Sequence, residues 1–143
     1  MANVVPDSFK TDPLKGIFNF DSSGGSTFKL ALYTSIGGFS TSTTAYTTTN
    51  EVSSSGTNYT AGGNTLTNNG VAVSSNIAYV DFADSTFSSV TLSAVGALIY
   101  KGTSNEEVLV LDFGGTKTAT NGDFVIQFPT ADSSNAIIRL GDA

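Results

Sequence analysis

Apolar and polar residues alternate through most of this chain, and that period of two is what most restricts its fold. In STFKLALYTS, Phe28, Leu30 and Leu32 share one face of an extended strand, opposite Lys29, Ala31 and Tyr33. The second half holds further such segments, separated by Gly, Asn, Ser or Asp turns: NIAYVDFAD, SSVTLSAVGALIYKG, EEVLVLDFGG, DFVIQFP and NAIIRL. The polar loop KGTSNEE predicts a hairpin. Strands without intervening helices predict an all-β fold, an antiparallel sandwich or barrel, and we expect a jelly-roll-like β-sandwich.

The N-terminus is the one segment whose pattern predicts a helix. In TDPLKGIFNF, Asp12 or Thr11 is a suitable N-cap and Pro13 suits the first helical position. The apolar side of this helix of at most two turns is then formed by Leu14, Ile17 and Phe18. The preceding ANVVPDSFK has no evident place in a core, so we expect it to be frayed or to form an arm that docks on a neighbouring subunit. The predicted organisation is an N-terminal arm and short helix over 1–20 and a single β-sandwich domain over 21–143.

A long polar interval runs from Gly37 to Asn69. More than thirty residues is too long for an ordinary connection between strands. The Thr-rich TTAYTTTNEV suggests edge strands, and NYTAGGNTL suggests a strand with a glycine kink.

Composition excludes several classes of function. The chain has 143 residues, a net charge of -6 and six basic residues, which are scattered. Nucleic acids and anionic membranes both require clustered Lys and Arg, so neither is an expected partner. There is no Cys and no His, which removes thiolate chemistry and the commonest metal ligand. We find no signal peptide and no apolar run that could cross a membrane, so we expect a soluble protein made in a cytoplasm.

The acidic residues are the remaining candidates for catalysis. Two carboxylates can hydrolyse glycosides without a histidine, provided that they lie the right distance apart. Glu106 and Glu107 are adjacent, and Asp81 and Asp84 lie three positions apart, so in a strand both pairs point to opposite faces. No loop has the spacing of an EF-hand calcium site. We therefore predict no enzyme activity and no catalytic, cofactor-binding or metal-binding residues.

Glycine and asparagine mark the predicted turns. The pairs are Gly24-Gly25, Gly37-Gly38, Gly62-Gly63 and Gly114-Gly115. None forms a phosphate-binding loop, and TNG at 120–122 is a further turn signal between strands. In FPTADSSN, Pro129 ends a strand while Asp132, Ser133 and Asn135 can bond their own backbone, so this loop is also predicted to be a turn.

Four segments together resemble a family of small structural proteins of tailed bacteriophages, especially marine ones. They are SFKTDPLKGIFNFDSSGGSTFKLALYTS, TTAYTTTNEVSSSGTNYTAGG, AYVDFADSTFSSVTLSAVGALIYK and VLDFGGTKTATNGDFVIQFPTADSSNAIIRL. The resemblance covers nearly the whole chain and implies a component of the virion. It supplies no catalytic motif and no residue roles. Pro13 departs from the aliphatic or acidic residue expected there.

The leading hypothesis is a capsid decoration, or cement, protein that binds the major capsid protein on the outer shell, as a homotrimer at the local three-fold positions. The expected contact surfaces are the N-terminal arm and the interval 37–69. A tail component (a tube, knob or fibre-adaptor subunit) is the alternative. A host-attachment module that binds carbohydrate is a third hypothesis, with exposed Tyr33, Tyr46 and Tyr59 as stacking platforms. A fourth hypothesis, that the protein is an enzyme, is the weakest.

Overall fold

A computed structural model describes residues 3–142 of the chain. The described part begins with an α-helix, α1 (Asp7–Thr11), and a 3₁₀ turn at Pro13–Lys15. Its strands are β1 (Phe28–Tyr33), β2 (Asn64–Thr65), β3 (Asn68–Ser74), β4 (Ile77–Phe82), β5 (Ser85–Lys101), β6 (Glu107–Ile126) and β7 (Ile138–Leu140).

The strands form two antiparallel sheets. Sheet 1 has the order β2-β1-β5-β6 and sheet 2 has the order β3-β4-β7. The long β5–β6 hairpin provides half of sheet 1, and its loop lies where KGTSNEE predicted one. The main core contains side chains from both sheets, among them Phe28 and Leu30 of sheet 1 and Val80 and Phe82 of sheet 2. The predicted all-β, sandwich-like fold with a short N-terminal helix is therefore confirmed.

Sheet 1 is covered on both faces at β1. Phe28, Leu30 and Leu32 of β1 enter the main core, whereas Ala31 and Tyr33 enter a second apolar cluster on the other face. The residues after β1 supply Ile36 and Phe39 to that second cluster. Each large apolar side chain buried in this way contributes roughly 1.5–3 kcal/mol, so both clusters stabilise the same strand.

The N-terminal helix lies earlier than predicted. The α-helix starts after Pro6, and the predicted helix is reduced to a 3₁₀ turn that ends at Gly16, whose backbone is left-handed with φ 75°. Pro13 does occupy the first position of that turn. The predicted apolar side is wrong for Leu14, which is 85% exposed, while Phe18 is buried.

The residues before the predicted helix do have a place in the core. Val4 forms an antiparallel bridge with Val110 of β6, with N···O distances of 3.0 and 2.8 Å. Phe9 packs against the main core, and its ring lies 5.2 Å from that of Phe18, edge to face. Local pattern could not indicate the Val4 bridge, because Val110 lies far away along the chain.

The interval 37–69 contains less regular strand than predicted. TTAYTTTNEV makes only single bridges, Ala45 with Glu106 and Glu51 with Tyr33, rather than edge strands. NYTAGGNTL contributes only the two residues of β2, after a turn at Gly62 and Gly63 with φ 88° and 75°. Four of its apolar side chains are nevertheless buried: Phe39, Val52, Tyr59 and Leu66. The interval is therefore a packed layer on the domain.

Two predicted turns are in fact irregularities inside one strand. β6 continues through Gly114-Gly115 and through Asn121-Gly122. Four residues of β6, 113–116, lie opposite the single residue Val95 of β5. Further register shifts occur on both sides of Val90 in β5. Positive φ at Gly114 and Asn121 accommodates the extra residues as bulges.

Candidate interaction surface

Three of the four carboxylates considered for catalysis, those of Asp81, Asp84 and Glu106, hold neighbouring segments together. Asp84 Oδ1 accepts the backbone N–H of Phe128 at 2.8 Å, and Asp81 Oδ2 accepts the side-chain amide of Asn69 at 3.1 Å. Glu106 accepts the hydroxyl of Ser104, and this bond lowers the pKa of the Glu106 carboxyl. Each of these three carboxylates thus accepts a hydrogen bond from a neighbouring strand or loop residue.

The loop FPTADSSN is a turn, as predicted. Asp132 Oδ1 accepts the backbone N–H of Ser134 at 2.7 Å and that of Asn135 at 2.8 Å. The Asn135 side chain donates to both Asp132 oxygens, and this bonding lowers the pKa of the Asp132 carboxyl.

The tyrosines predicted as sugar platforms are inside the protein. Tyr33 and Tyr59 are buried and Tyr46 is half-buried, so the predicted platform is wrong. Tyr59 and Tyr46 donate their hydroxyls to the two oxygens of Glu51 at 2.7 and 2.6 Å, and Gly62 N–H donates to the same carboxylate at 2.6 Å. Tyr46 also stacks on Tyr100, with ring centroids 4.5 Å apart. This Glu51 network ties three parts of the polar interval to sheet 1.

Glu107, expected in the polar loop KGTSNEE, is instead a buried carboxyl at the start of β6. It is 1% exposed, and neither side-chain oxygen has a hydrogen-bond partner among the described residues. Its backbone pairs with Tyr100 of β5 on one side and donates to the carbonyl of Thr44 on the other, at 3.1 Å. Burial raises the pKa of the Glu107 carboxyl to about 7. Its position at the start of the apolar run VLVL was the available signal.

An open groove of about 550 Å³ follows the outer edge of β6. Ile137, just before β7, lies on its other side. Its apolar lining belongs to the rim of the main core: Leu111, Phe113, Phe124, Ile126, Phe128 and Ile137. The charged residues of the lining are Asp112, Lys117 and Asp123, and Val125, which is 53% exposed, also lines the groove. The core is thus accessible along one side of the sandwich.

Most of the β6 edge has no neighbouring strand. Among residues 3–142, backbone partners on that edge are residues 44–46 near Glu107 and Val4 at Val110, and no strand pairs with it further along. Bulges at Gly114 and Asn121 interrupt this free edge. Such irregularities discourage regular pairing with another strand, so the groove presents side chains rather than a straight backbone ladder.

Sheet 2 carries an uncovered apolar row. Val73, Ala78 and Leu140 are cross-strand neighbours, on the face whose other residues, Val80 and Phe82, enter the main core. Val73 is 71% exposed and Leu140 is 73% exposed. The core-facing side of sheet 2 therefore extends beyond the core into solvent.

The β3–β4 hairpin carries much of this row. Residues 71–76 are all exposed, and its two-residue turn, Ser75-Asn76, has positive φ at both positions, as a type I′ turn requires. No charged residue occurs from 68 to 80. An exposed, neutral, partly apolar hairpin is typical of a contact surface.

Within residues 3–142, no group of three or more Asp, Glu, His or Cys side chains lies close enough together to hold a metal ion. Over the same residues, no helix has the length and apolarity to span a bilayer. Comparison with known proteins found no matching family model, no similar curated protein and no similar solved structure.

Proposed function

We propose that this protein is a non-enzymatic structural subunit of a tailed-phage particle, acting as a decoration protein on the outer face of the shell. The observation that carries the proposal is the pair of uncovered apolar features, the β6 groove and the β3–β4 hairpin, on a domain whose sheets are otherwise well packed. A protein whose role is contact with other subunits needs such surfaces. The major capsid protein is the proposed partner, with the decoration protein itself as a homotrimer.

The protein would perform this function by binding alone, without catalysis. A decoration subunit bridges neighbouring capsid subunits, and an interface of roughly 1,600 Å² is sufficient for specific binding. The polar interval 37–69 suits such a contact, since its outward residues are mostly Ser, Thr, Gly and Asn. The Glu51 network fixes that layer in advance, which lowers the conformational entropy lost on binding.

The experiment compares particles with and without the protein. Particles assembled without it should release their DNA at a lower temperature, and adding the purified protein should restore the original release temperature in a saturable manner. Bovine serum albumin at the same concentration is the control for crowding. Purified protein that neither binds nor stabilises the depleted shells would contradict the proposal.

A tail subunit is the second candidate, and the β3–β4 hairpin is the observation that favours it. Ring-forming tail proteins join neighbours through strands and hairpins that extend from one subunit to the next. The exposed residues 71–76 form such an extension. In the release experiment, a tail subunit would bind purified tails and leave the stability of the shell unchanged.

A further inference from the structure

We propose a pH-controlled detachment at the start of β6: when Glu107 ionises, two edge segments, residues 3–11 and 41–46, separate from the β6 edge. The Glu107 side chain is 1% exposed, and its backbone N–H donates to the carbonyl of Thr44 in the second of these segments. This inference goes beyond the proposed function, because it concerns the isolated chain and holds whether or not the protein binds a shell.

The edge segments contact β6 through isolated bridges rather than through a continuous ladder. Val4 pairs with Val110 through N···O distances of 3.0 and 2.8 Å, and Ala45 pairs with Glu106. On the opposite edge, β6 pairs with β5 over most of its length. The few bonds to the edge segments can therefore separate while the β5–β6 hairpin stays intact.

The two edge segments are also joined to each other beside Glu107. The Asp7 N–H donates to the carbonyl of Thr41 at 2.8 Å. Three residues later, the carbonyl of Thr44 accepts the Glu107 N–H at 3.1 Å. Pro6, which precedes α1, is fully buried. Because both segments lie next to the buried carboxyl, their separation from β6 is the smallest rearrangement that lets water reach it.

The charge of Glu107 determines whether this closed arrangement is favoured. Neither side-chain oxygen has a hydrogen-bond partner among residues 3–142, and its cross-strand neighbour Tyr100 belongs to the second apolar cluster. A protonated carboxyl tolerates such surroundings better than a carboxylate, which loses its hydration there. Burial accordingly raises the pKa of Glu107 to about 7. The closed form therefore binds the proton more tightly than the open form, and rising pH favours the open form.

The titratable groups beside Glu107 on β5 and on the polar interval are tyrosines. Burial raises the pKa of Tyr100 to about 12, and it also raises the pKa of Tyr46, whose ring stacks on Tyr100. Tyr46 donates its hydroxyl to Glu51 at 2.6 Å. Both phenols therefore remain neutral over the pH range in which Glu107 changes charge.

The charged groups of the adjoining elements have other partners. On α1 an aspartate and a lysine pair at 2.7 Å, and the lysine at the end of β5 donates to the carbonyl of Ile17. On β6 and just before it, hydrogen bonds lower the pKa of two further carboxyls. Burial is the only cause that raises the pKa of Glu107, so none of these charges offsets its ionisation. These charged residues are Asp7, Lys10, Lys101, Glu106 and Asp112.

The size of the effect follows from the pKa of Glu107 in the two forms. In the open form the carboxyl has its ordinary pKa of 4.5, and in the closed form its pKa is about 7. Between these values, each pH unit raises the ratio of open to closed molecules by up to tenfold. From pH 5 to pH 7 the ratio should therefore rise about thirtyfold.

Hydrogen exchange of backbone amides measures this opening segment by segment. The reporters are the N–H groups of Val4, Asp7 and Tyr46, each of which donates a hydrogen bond in the closed form. Their protection factors, corrected for the intrinsic pH dependence of exchange, should fall about thirtyfold from pH 5 to pH 7 in the natural chain. In Glu107→Gln, whose side chain does not ionise, they should stay nearly constant. Glu106→Gln, the matched control, should behave like the natural chain.

Urea distinguishes local detachment from unfolding of the whole chain. Detachment exposes little surface, so exchange of the three reporters should depend only weakly on urea, whereas amides in the β1–β5 pairing should show the steep dependence of global unfolding. Reporters with the same protection and the same urea dependence as the β1–β5 amides would overturn the inference. So would constant protection of the reporters in the natural chain, or an equal fall of their protection in Glu107→Gln.

Discussion

Replacing Glu107 by glutamine should change how stability depends on pH. The Glu107 carboxyl is 1% exposed, its oxygens have no hydrogen-bond partner among the described residues, and burial raises its pKa from the ordinary 4.5 to about 7. Below pH 4.5 the carboxyl is protonated in both the folded and the unfolded chain. Between pH 4.5 and about 7 the unfolded chain releases the proton while the folded chain retains it. The free energy of unfolding therefore falls as pH rises through this window.

The size of the effect follows from the two pKa values. At about 1.4 kcal/mol for each pH unit, the interval from 4.5 to about 7 corresponds to a loss of about 3 kcal/mol, complete above pH 7. Glutamine has a similar shape and does not ionise. The stability of Glu107→Gln relative to the natural chain should consequently rise by about 3 kcal/mol between pH 4 and pH 8.

Urea unfolding followed by far-UV circular dichroism, at several pH values from 4 to 8, measures this difference. Glu106→Gln is the matched control, because its neighbouring carboxyl is more exposed and hydrogen bonding lowers its pKa. It should show no gain of stability toward high pH. Parallel pH curves for Glu107→Gln and the natural chain would refute the reasoning, since they would mean that the Glu107 carboxyl is hydrated or paired.

Three further predictions concern the polar interval and the tyrosines packed against it. Gly63→Ala should lower the free energy of unfolding in urea by several kcal/mol, because the new Cβ would overlap the Leu30 carbonyl. The control, Gly56→Ala, has a similar positive φ but open space around it, and should lower that free energy by only about 1–2 kcal/mol. Equal losses in the two variants would contradict the clash. Glu51→Ala should lower the free energy of unfolding by roughly 2–3 kcal/mol, because it leaves the buried Tyr59 hydroxyl without its carboxylate acceptor. Glu51→Gln should restore most of that stability. No loss of stability in the alanine variant would argue against the Glu51 network. In an alkaline absorbance titration, most tyrosinate should form only as the protein unfolds, because burial raises the pKa of four phenols; a single ordinary transition near pH 10 in the folded protein would contradict their burial. These phenols are Tyr33, Tyr46, Tyr59 and Tyr100.

Alternation predicted the strands that are buried on regular faces. β1 covers the apolar part of the predicted segment STFKLALYTS, and its two sets of side chains lie on opposite faces, as the alternation indicated. The same signal located β4 and the β5–β6 loop. In these segments, local pattern and tertiary packing favour the same conformation.

Glycine was less informative because positive φ serves both turns and bulges. Gly62-Gly63 does form a turn, yet Gly114-Gly115 lies inside β6. The difference depends on β5, which continues opposite β6 and keeps the chain extended on both sides of the irregularity. A single sequence contains no local sign of that partner.

The candidate surface could not be predicted because it depends on what the fold leaves uncovered. Val73 and Val80 belong to the same kind of alternating pattern, but one is 71% exposed and the other is buried. Which end of sheet 2 extends past sheet 1 is a property of the packed domain. Conversely, Tyr33 and Tyr59 were expected at the surface. Both are buried by tertiary contacts that involve the interval 37–69: Tyr33 donates to the carbonyl of Thr47, and Tyr59 donates to Glu51.

The most direct test of the central claim, that this protein decorates a phage shell, is its copy number and position in intact particles. Quantitative gel densitometry gives the number, and immunogold labelling or subtomogram averaging gives the position. The decoration role predicts hundreds of copies distributed over the head. A few to a few dozen copies confined to the tail would contradict it and favour the tail subunit.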